Sequence, residues 1–217
     1  MQQIGTCDDE VKCGAVMERE KRLQGIVFLG GRFDYTPADL AMLNIPFVCC
    51  SYSNRYGTLI EGEYSSVSIA DGDTAQQAVE ELYRHGHRRI AALISRPNDQ
   101  SISQLRYEGY VQALESHGIP VDPELVISTG GFGAKDAYRA VQEKMAENVD
   151  FTALFAIADS MAIGAMRALM DAGRRIPEDC SVIAIDGLEL SAYIEPPLTT
   201  LCQPCLLYTS DAADDRI

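Results

Sequence analysis

The sequence lacks any apolar run long enough to cross a membrane. A spanning helix needs about 20 consecutive apolar residues, and no segment of the 217 residues approaches that length. Residues 1–10 also lack the basic and then apolar pattern of a secretory signal peptide. We therefore expect no membrane partner.

Basic residues are scarce too. The chain has 18 Lys and Arg against 32 Asp and Glu, which gives a formal net charge of −14. Proteins that grip a nucleic-acid backbone use clustered Lys and Arg, so this composition argues against direct binding of DNA or RNA by this segment. A solvated acidic surface that favours solubility is the simpler interpretation.

Patterns typical of structural metal sites are scarce. The seven cysteines include a single CxxC pair, Cys202 and Cys205, without a second such pair, and no His lies at ligand spacing from them, so we expect no metal site and no other cofactor. Their odd number, in a chain too large to need disulfides, favours a reducing cytoplasm. Cys49 and Cys50 end an apolar run, which is typical of small buried hydrophobic residues.

Recurrent catalytic motifs are absent. Gly30 and Gly31 follow a predicted strand but form no GxGxxG, and neither GxxxxGK[ST] nor GxSxG occurs. The three histidines have no nearby Ser or Cys in a nucleophile pattern, and His87 is better explained as a structural residue at a helix-to-strand turn. We therefore predict that the chain is not an enzyme.

The sequence does contain a regular alternation of short β-rich runs and longer helical stretches, which predicts an α/β fold with parallel sheets flanked by helices. Predicted strands cover 4–7, 25–30, 46–50, 66–70, 89–95, 125–129, 153–158, 180–185 and 198–201, and predicted helices cover 8–22, 72–86, 101–117, 135–148 and 160–172. The continuous GIVFLG run at 25–30, bounded by glycines, is typical of a strand buried on both faces.

The alternation restarts after Ser95, which predicts two lobes of similar build. We expect an N-terminal lobe at 1–95 and a C-terminal lobe at 96–204. Ligands of such sheets bind outside the carboxyl ends of the strands, and two facing lobes would share one cleft there.

Three segments of the chain carry a family resemblance. They are HGHRRI at 85–90, ALFAIADSMAIGAMRAL at 153–169, and GRRIPEDCSVIAIDGLELSAYIEPPLTT at 173–200, the last followed by Gln203 and Pro204. In order and spacing they resemble the LacI/GalR family of transcriptional regulators. The third segment is the most specific, and the resemblance extends from about Gln2 to Pro204.

The resemblance implies a two-lobed, periplasmic binding protein-like (type I) core that holds a small effector, commonly a sugar or nucleobase. It also implies that the chain starts at the second strand of an incomplete first lobe, without the family's helix-turn-helix headpiece. Operator DNA would then be bound only through that headpiece, by a homodimer of the full-length protein. The exposed sheet edge of such a lobe predicts that the chain alone is unstable or aggregates.

The end of the chain departs from the family pattern. After Pro204 the family continues with an amphipathic helix, whereas CLLYTSDAADDRI has no helical apolar period after Tyr208. The string resembles a translated sequencing-library adapter, so we expect 205–217 to be a non-native tail. A genuine divergent tail is the alternative.

The resemblance places candidate effector-binding residues along the strand ends. Arg106 would fork onto ligand hydroxyls or carboxylates. Asp186 would accept from two adjacent hydroxyls of a polyol, or cap a helix at 188–193. Asp159 is either a ligand contact or a helix cap, and Ala158 before it replaces a polar residue that is frequent in the family.

The other candidates lie in turns and loops. Asp71 follows a predicted strand, in a register one residue short of the commonest family pattern. Phe132 occupies a position where family members often carry an aromatic ring that stacks on the ligand. Ser51 and Gln100 are weaker candidates from loops on the same rim, and ordinary loop polarity is the favoured explanation of both.

Together these observations predict the effector-sensing domain of a LacI/GalR-type regulator. Effector binding would bias closure of the two lobes and so change the affinity of the whole protein for operator DNA. The alternative is a periplasmic sugar-binding protein of an ABC transporter, which shares the fold. The GHRRI and PPLTT segments favour the regulator.

Overall fold

The computed structural model describes residues 9–31, 33–60, 62 and 64–203. The strand predicted at 4–7 and the tail at 205–217 lie outside these residues. The described residues form two compact units, one of residues 9–69 with 100–102 and the other of residues 70–99 with 103–203.

The first unit is built on a small parallel sheet. Its elements are α1 (Glu10–Lys21), β1 (Ile26–Leu29), α2 (Pro37–Leu40), β2 (Phe47–Cys50) and β3 (Ser65–Val67). The strands pair in the order β1-β2-β3, all parallel. The side chain of Asp9 caps α1 by accepting from two backbone N–H groups of the first turn, as an N-cap aspartate is expected to do.

Strand β1 is covered on one face only. Phe28 is buried and faces Gly14 of α1, where a Cβ would lie 3.0 Å from its ring. Val27 and Leu29 point to the opposite face and are 62% and 70% exposed. The prediction of burial on both faces was therefore wrong, because within the described residues no element covers that second face. Cys49 is buried as predicted, whereas Cys50 is only half-buried.

The second unit is larger and has helices around a five-stranded parallel sheet. Its helices are α3 (Asp71–Arg84), α4 (Ile102–Ser116), α5 (Ala134–Ala146) and α6 (Asp159–Asp171). Its strands are β4 (Ile90–Ile94), β5 (Val126–Ser128), β6 (Ala153–Ala156), β7 (Ser181–Asp186) and β8 (Thr199–Cys202). They pair in the order β5-β4-β6-β7-β8.

The core of the second unit lies around its central strands. Every residue of β4 and β6 is buried, as expected for parallel strands covered by helices on both sides. Tyr110 of α4 is fully buried, and its hydroxyl donates to the carbonyl of Ile90 at 2.9 Å. This bond satisfies the polar end of a ring that otherwise packs among apolar side chains.

The α/β fold with parallel sheets is confirmed, and the predicted elements within the described residues occur with ends shifted by a few residues. Helix α2 had not been predicted. Strand β4, expected at the end of the N-terminal lobe, pairs with β5 and β6 in the second unit. Among the described residues, no helix is both long and apolar enough to cross a bilayer.

Candidate functional site

Three of the predicted site residues meet at the carboxyl-end edge of the five-stranded sheet. Asp71 is the first residue of α3, Arg106 lies in the second turn of α4, and Asp186 is the last residue of β7. All three belong to the second unit. Ligands of open parallel sheets bind at this edge, so the three side chains define the candidate site.

Arg106 is the centre of this cluster. Its side chain is 2% exposed. Nε donates to Asp71 Oδ1 at 2.8 Å, and Nη1 donates to Asp186 Oδ1 at 3.3 Å and to the carbonyl of Ile157. Nη2 is also buried and has no hydrogen-bond acceptor among the described residues. An orphaned buried donor is costly, which marks Nη2 as a polar atom available to a ligand.

Two glycines bring the helices of this cluster together. A Cβ on Gly109 would lie 2.1 Å from the carbonyl oxygen of Gly72 and 2.9 Å from the Cβ of Ala75. Helix α4 therefore approaches α3 with backbone nearly touching backbone. Arg106 lies one turn before Gly109 on the same face of α4, so this crossing places its guanidinium beside Asp71.

Asp186 is the more accessible of the two carboxylates, with a side chain 26% exposed. Its Oδ1 accepts from Arg106 and, at 2.7 Å, from Gln203 Nε2, whereas Oδ2 receives no hydrogen bond from the described residues. Its φ of 146° is rare for a residue with a side chain, and such backbone outliers concentrate at functional sites. The helix-cap alternative is wrong, because the following 3₁₀ turn has Leu188 at its N-cap and no side-chain cap.

Burial controls the protonation of both carboxylates. It raises the pKa of Asp71 above the ordinary value, and the adjacent Arg106 partly offsets that rise. Burial likewise raises the pKa of Asp186, with Arg106 and Gln203 opposing the shift and Asp159 adding to it. Both groups thus take up a proton more readily than an exposed aspartate.

Asp159 is fully buried and is saturated by the chain itself. Its Oδ2 accepts from the backbone N–H of Leu188 at 2.8 Å and from Ser191 Oγ at 2.7 Å, and its Oδ1 accepts from Thr200 Oγ1. The cap alternative is wrong here too, because Ala158 is the N-cap of α6 and no side chain caps that helix. In the structure Asp159 ties the segment after β7 and strand β8 to the start of α6.

The remaining candidates make no hydrogen bond or ion pair with Arg106 within the described residues. Phe132 follows β5 with its side chain 41% exposed, and its carbonyl accepts from Ser160 Oγ at the start of α6. Ser51 and Gln100 belong to the first unit, where both are exposed and have positive φ. Sequence reasoning missed Gln203 as a site residue, although the Gln203–Pro204 pair was part of the family pattern.

His87 has the structural role predicted for it. Its Nδ1 lies 3.0 Å from Thr152 Oγ1 and its Nε2 lies 3.0 Å from Ser181 Oγ. The ring therefore bridges the first residues of β6 and β7. It lies at the amino-terminal end of these strands, whereas Asp186 lies at their carboxyl end. Burial, with a smaller contribution from His85, lowers its pKa. Within the described part of the chain, no group of three or more His, Cys, Asp or Glu could hold a metal ion.

Comparison with known proteins gives consistent results. The family model of the periplasmic binding protein-like domain matches residues 79–214. The HTH-type transcriptional regulator MalR of Clostridium butyricum is 36% identical over 91% of this chain and 58% of its own length. The HTH-type transcriptional repressor CytR of Escherichia coli K12 is 34% identical over 85% of this chain and 52% of its own. The chain thus spans little more than half the length of these curated relatives.

A solved structure supports the same comparison. The transcriptional regulator CelR in complex with cellobiose superimposes with a TM-score of 0.77, at 31% identity. The alignment covers 91% of this chain and 59% of that one. Similarity in sequence and in fold therefore points to the same group of proteins.

Proposed function

This chain belongs to the periplasmic binding protein-like domains of LacI-type transcriptional regulators, and on that premise we propose that it is the effector-sensing part of a ligand-gated regulator. The observation that carries the proposal is the buried Arg106, held between Asp71 and Asp186 at the carboxyl-end edge of the sheet. Its Nη2 and the Oδ2 of Asp186 are polar atoms that the described chain leaves without a partner.

We propose a sugar or a related metabolite as the effector. The free Oδ2 of Asp186 can accept from a hydroxyl, and the exposed ring of Phe132 offers an apolar face to the C–H side of a sugar ring. The cellobiose complex of CelR supports a carbohydrate effector. Asp71 acts by holding Arg106 in position, and Asp159 acts by fixing the segment after β7. Ser51 and Gln100 remain proposed effector contacts.

In the full-length protein, effector binding would change the affinity for operator DNA. An effector shifts such an equilibrium only by its difference in affinity for the two states, typically about 1–3 kcal/mol. The names of the relatives, which are HTH-type regulators, support DNA binding through a separate headpiece. They also favour a regulator over the alternative of a transporter's periplasmic binding protein, and they support a non-enzymatic, cytoplasmic protein.

We also propose that the full-length regulator is a homodimer, since symmetric operators are usually bound by symmetric dimers. Support comes from the segment after β7, where Leu190 and Tyr193 are 57% and 77% exposed. Contiguous exposed apolar surface is typical of a subunit interface. Analytical ultracentrifugation of the full-length protein tests this, and a monomer at micromolar concentration would overturn it.

Calorimetric titration tests the effector site directly. Cellobiose and a panel of neutral sugars and nucleosides are titrated into the chain and into its Asp186→Asn variant. We expect a saturable isotherm with at least one compound, weakened about tenfold or more by Asp186→Asn, since a charged hydrogen bond contributes about 1.5–3 kcal/mol. Asp171→Asn, at the far end of α6, is the matched control and keeps the affinity of the unaltered chain. If no compound of the panel binds, the proposed function is overturned.

A further inference from the structure

The cation of the candidate site, the guanidinium of Arg106, already has carboxylate partners within the chain. Arg106 makes ion pairs with two carboxylates, Asp71 at 2.8 Å and Asp186 at 3.3 Å. A guanidinium binds a phosphate or carboxylate most strongly as a two-pronged fork, with two neighbouring N–H groups directed at two oxygens. Nε and Nη1 are committed to protein acceptors, so only Nη2 remains. A fork on a ligand anion would require one of the ion pairs to break.

The net charge of the cluster also disfavours an anionic ligand. With both aspartates ionised, the cluster of Arg106, Asp71 and Asp186 carries a net charge of −1. Burial raises the pKa of both carboxyls, and with one of them protonated the cluster is neutral. In neither state is it positive, so the cluster offers an anion no net attraction, and with both aspartates ionised it repels an anion.

Two atoms of the cluster have no partner among the described residues, and they suit a hydroxyl group better than an anion. Nη2 offers N–H donors and Oδ2 of Asp186 offers an acceptor. A hydroxyl group can both accept and donate, so it can pair with either atom. An ionised carboxylate or a fully ionised phosphate ester group brings only acceptors, which would face the carboxylate of Asp186 without a proton between them.

From these contacts we propose that the site takes an uncharged, hydroxyl-bearing effector and excludes phosphate esters and carboxylates. This inference rests on the proposed function and narrows it, because sequence analysis had left both hydroxyls and carboxylates open as partners of Arg106. Arg96, which follows β4 at the same edge of the sheet, is a cation that could contradict it. Arg96 is exposed, and its Nε donates to the carbonyl of Gly130, so solvent screens its charge.

The test uses pairs of related compounds, one neutral and one anionic in each pair. Cellobiose with cellobionic acid, glucose with its phosphate ester, and cytidine with its monophosphate are titrated calorimetrically into the chain at neutral pH, together with inorganic phosphate. We expect the neutral member of at least one pair to bind and its anionic partner to bind at least about tenfold more weakly. Inorganic phosphate should give no saturable heat.

Two variants test the electrostatic cause. Asp186→Asn removes one negative charge beside Arg106, so it should reduce the preference for the neutral member several-fold even though both affinities change. Asp171→Asn, remote from the cluster, should leave the preference unaltered. An unchanged preference in Asp186→Asn would show that these charges do not set the selectivity.

The possible results distinguish a failure of this inference from a failure of the proposed sensor function. An anionic member that binds as tightly as its neutral partner overturns the inference and leaves the sensor function standing. Loss of such binding in Arg96→Gln would identify Arg96 as the anion contact. If neither member of any pair binds, the sensor function falls and the inference falls with it.

Discussion

A guanidinium carries five N–H donors, and Arg106 directs three hydrogen bonds at protein acceptors through Nε and Nη1. The side chain is almost fully buried, as is Asp71. A buried ion pair of this kind contributes little net stability compared with apolar residues, yet removing one partner leaves the other charge unpaired. Arg106 and Asp71 are therefore coupled in stability as well as in position.

Arg106→Ala should lower the free energy of unfolding by about 3–5 kcal/mol, because Asp71 stays buried without its counter-charge. Urea denaturation followed by circular dichroism measures the change. Replacing Asp71 by Asn in the same chain should restore part of the loss, so the two substitutions should be clearly non-additive. Additive effects, or a loss below about 1 kcal/mol, would contradict the coupling.

His87 should make the stability depend on pH. Its pKa lies below the ordinary value of 6.5 in the folded protein, so the unfolded chain takes up the proton first as the pH falls. The stabilisation is complete above about pH 6.5 and is lost as the pH drops through the lower, folded-state pKa. Between pH 7 and pH 5 the free energy of unfolding should therefore fall less in His87→Gln than in the unaltered chain. His85→Gln removes only the smaller contribution to the lowered pKa of His87, so it should change the pH dependence less than His87→Gln does.

The residues of the site were only partly predictable from sequence. Arg106, Asp71 and Asp186 had each been proposed, and the fold brings them into contact. The saturation of Asp159 was not foreseeable, because its donors Ser191 and Thr200 lie 32 and 41 residues further along the chain. Whether a carboxylate is free or used by its own protein depends on such long-range pairing, which no local pattern reports.

At the scale of elements, the site depends on the crossing of α3 and α4. The contact at Gly109 leaves no space for a side chain, since a Cβ would overlap the carbonyl of Gly72. Protein interiors are close-packed, so added volume must move backbone. The position of Arg106 relative to Asp71 is therefore set by the distance between the two helices.

Gly109→Ala should separate these helices and destabilise the chain by about 1–3 kcal/mol, the usual cost of overpacking. It should also weaken effector binding, because Arg106 moves with α4. Gly131→Ala is the matched control: a Cβ there meets nothing within 4 Å, and its effect on unfolding should be within about 0.5 kcal/mol. Equal stability of the two variants in urea denaturation would show that the crossing can adjust.

The positions of the helices and strands along the chain were predictable from sequence, whereas the pairing and burial of the strands were less so. Alternation of apolar runs and helical periods locates β4 at Ile90–Ile94 within one residue of its predicted ends. That pattern does not predict which strands pair with β4. In the structure β4 lies between β5 and β6. Likewise the apolar run of β1 suggested two buried faces, but burial depends on what the rest of the chain supplies, and Val27 and Leu29 are exposed.

At the scale of the whole molecule, the apolar core is concentrated in the second unit. The main cluster of buried side chains extends from Ala75 to Leu198 around β4 and β6. The first unit has a three-stranded sheet, and β1 presents two exposed aliphatic side chains. Stability in proteins follows such differences in local burial, so the two units should not open with the same free energy.

Hydrogen exchange measured by mass spectrometry should resolve this difference. Amides of Ile90–Ile94 and Ala153–Ala156 should exchange orders of magnitude more slowly than those of Ile26–Leu29, because opening the buried strands requires the whole second unit to unfold. Equal exchange rates in both sheets would instead mean that the chain unfolds as one cooperative body.

Val27→Thr with Leu29→Thr should reduce self-association of the chain in sizing experiments, since the exposed apolar face of β1 is then more polar. The slow amides of Ile90–Ile94 and Ala153–Ala156 should keep their protection in that variant.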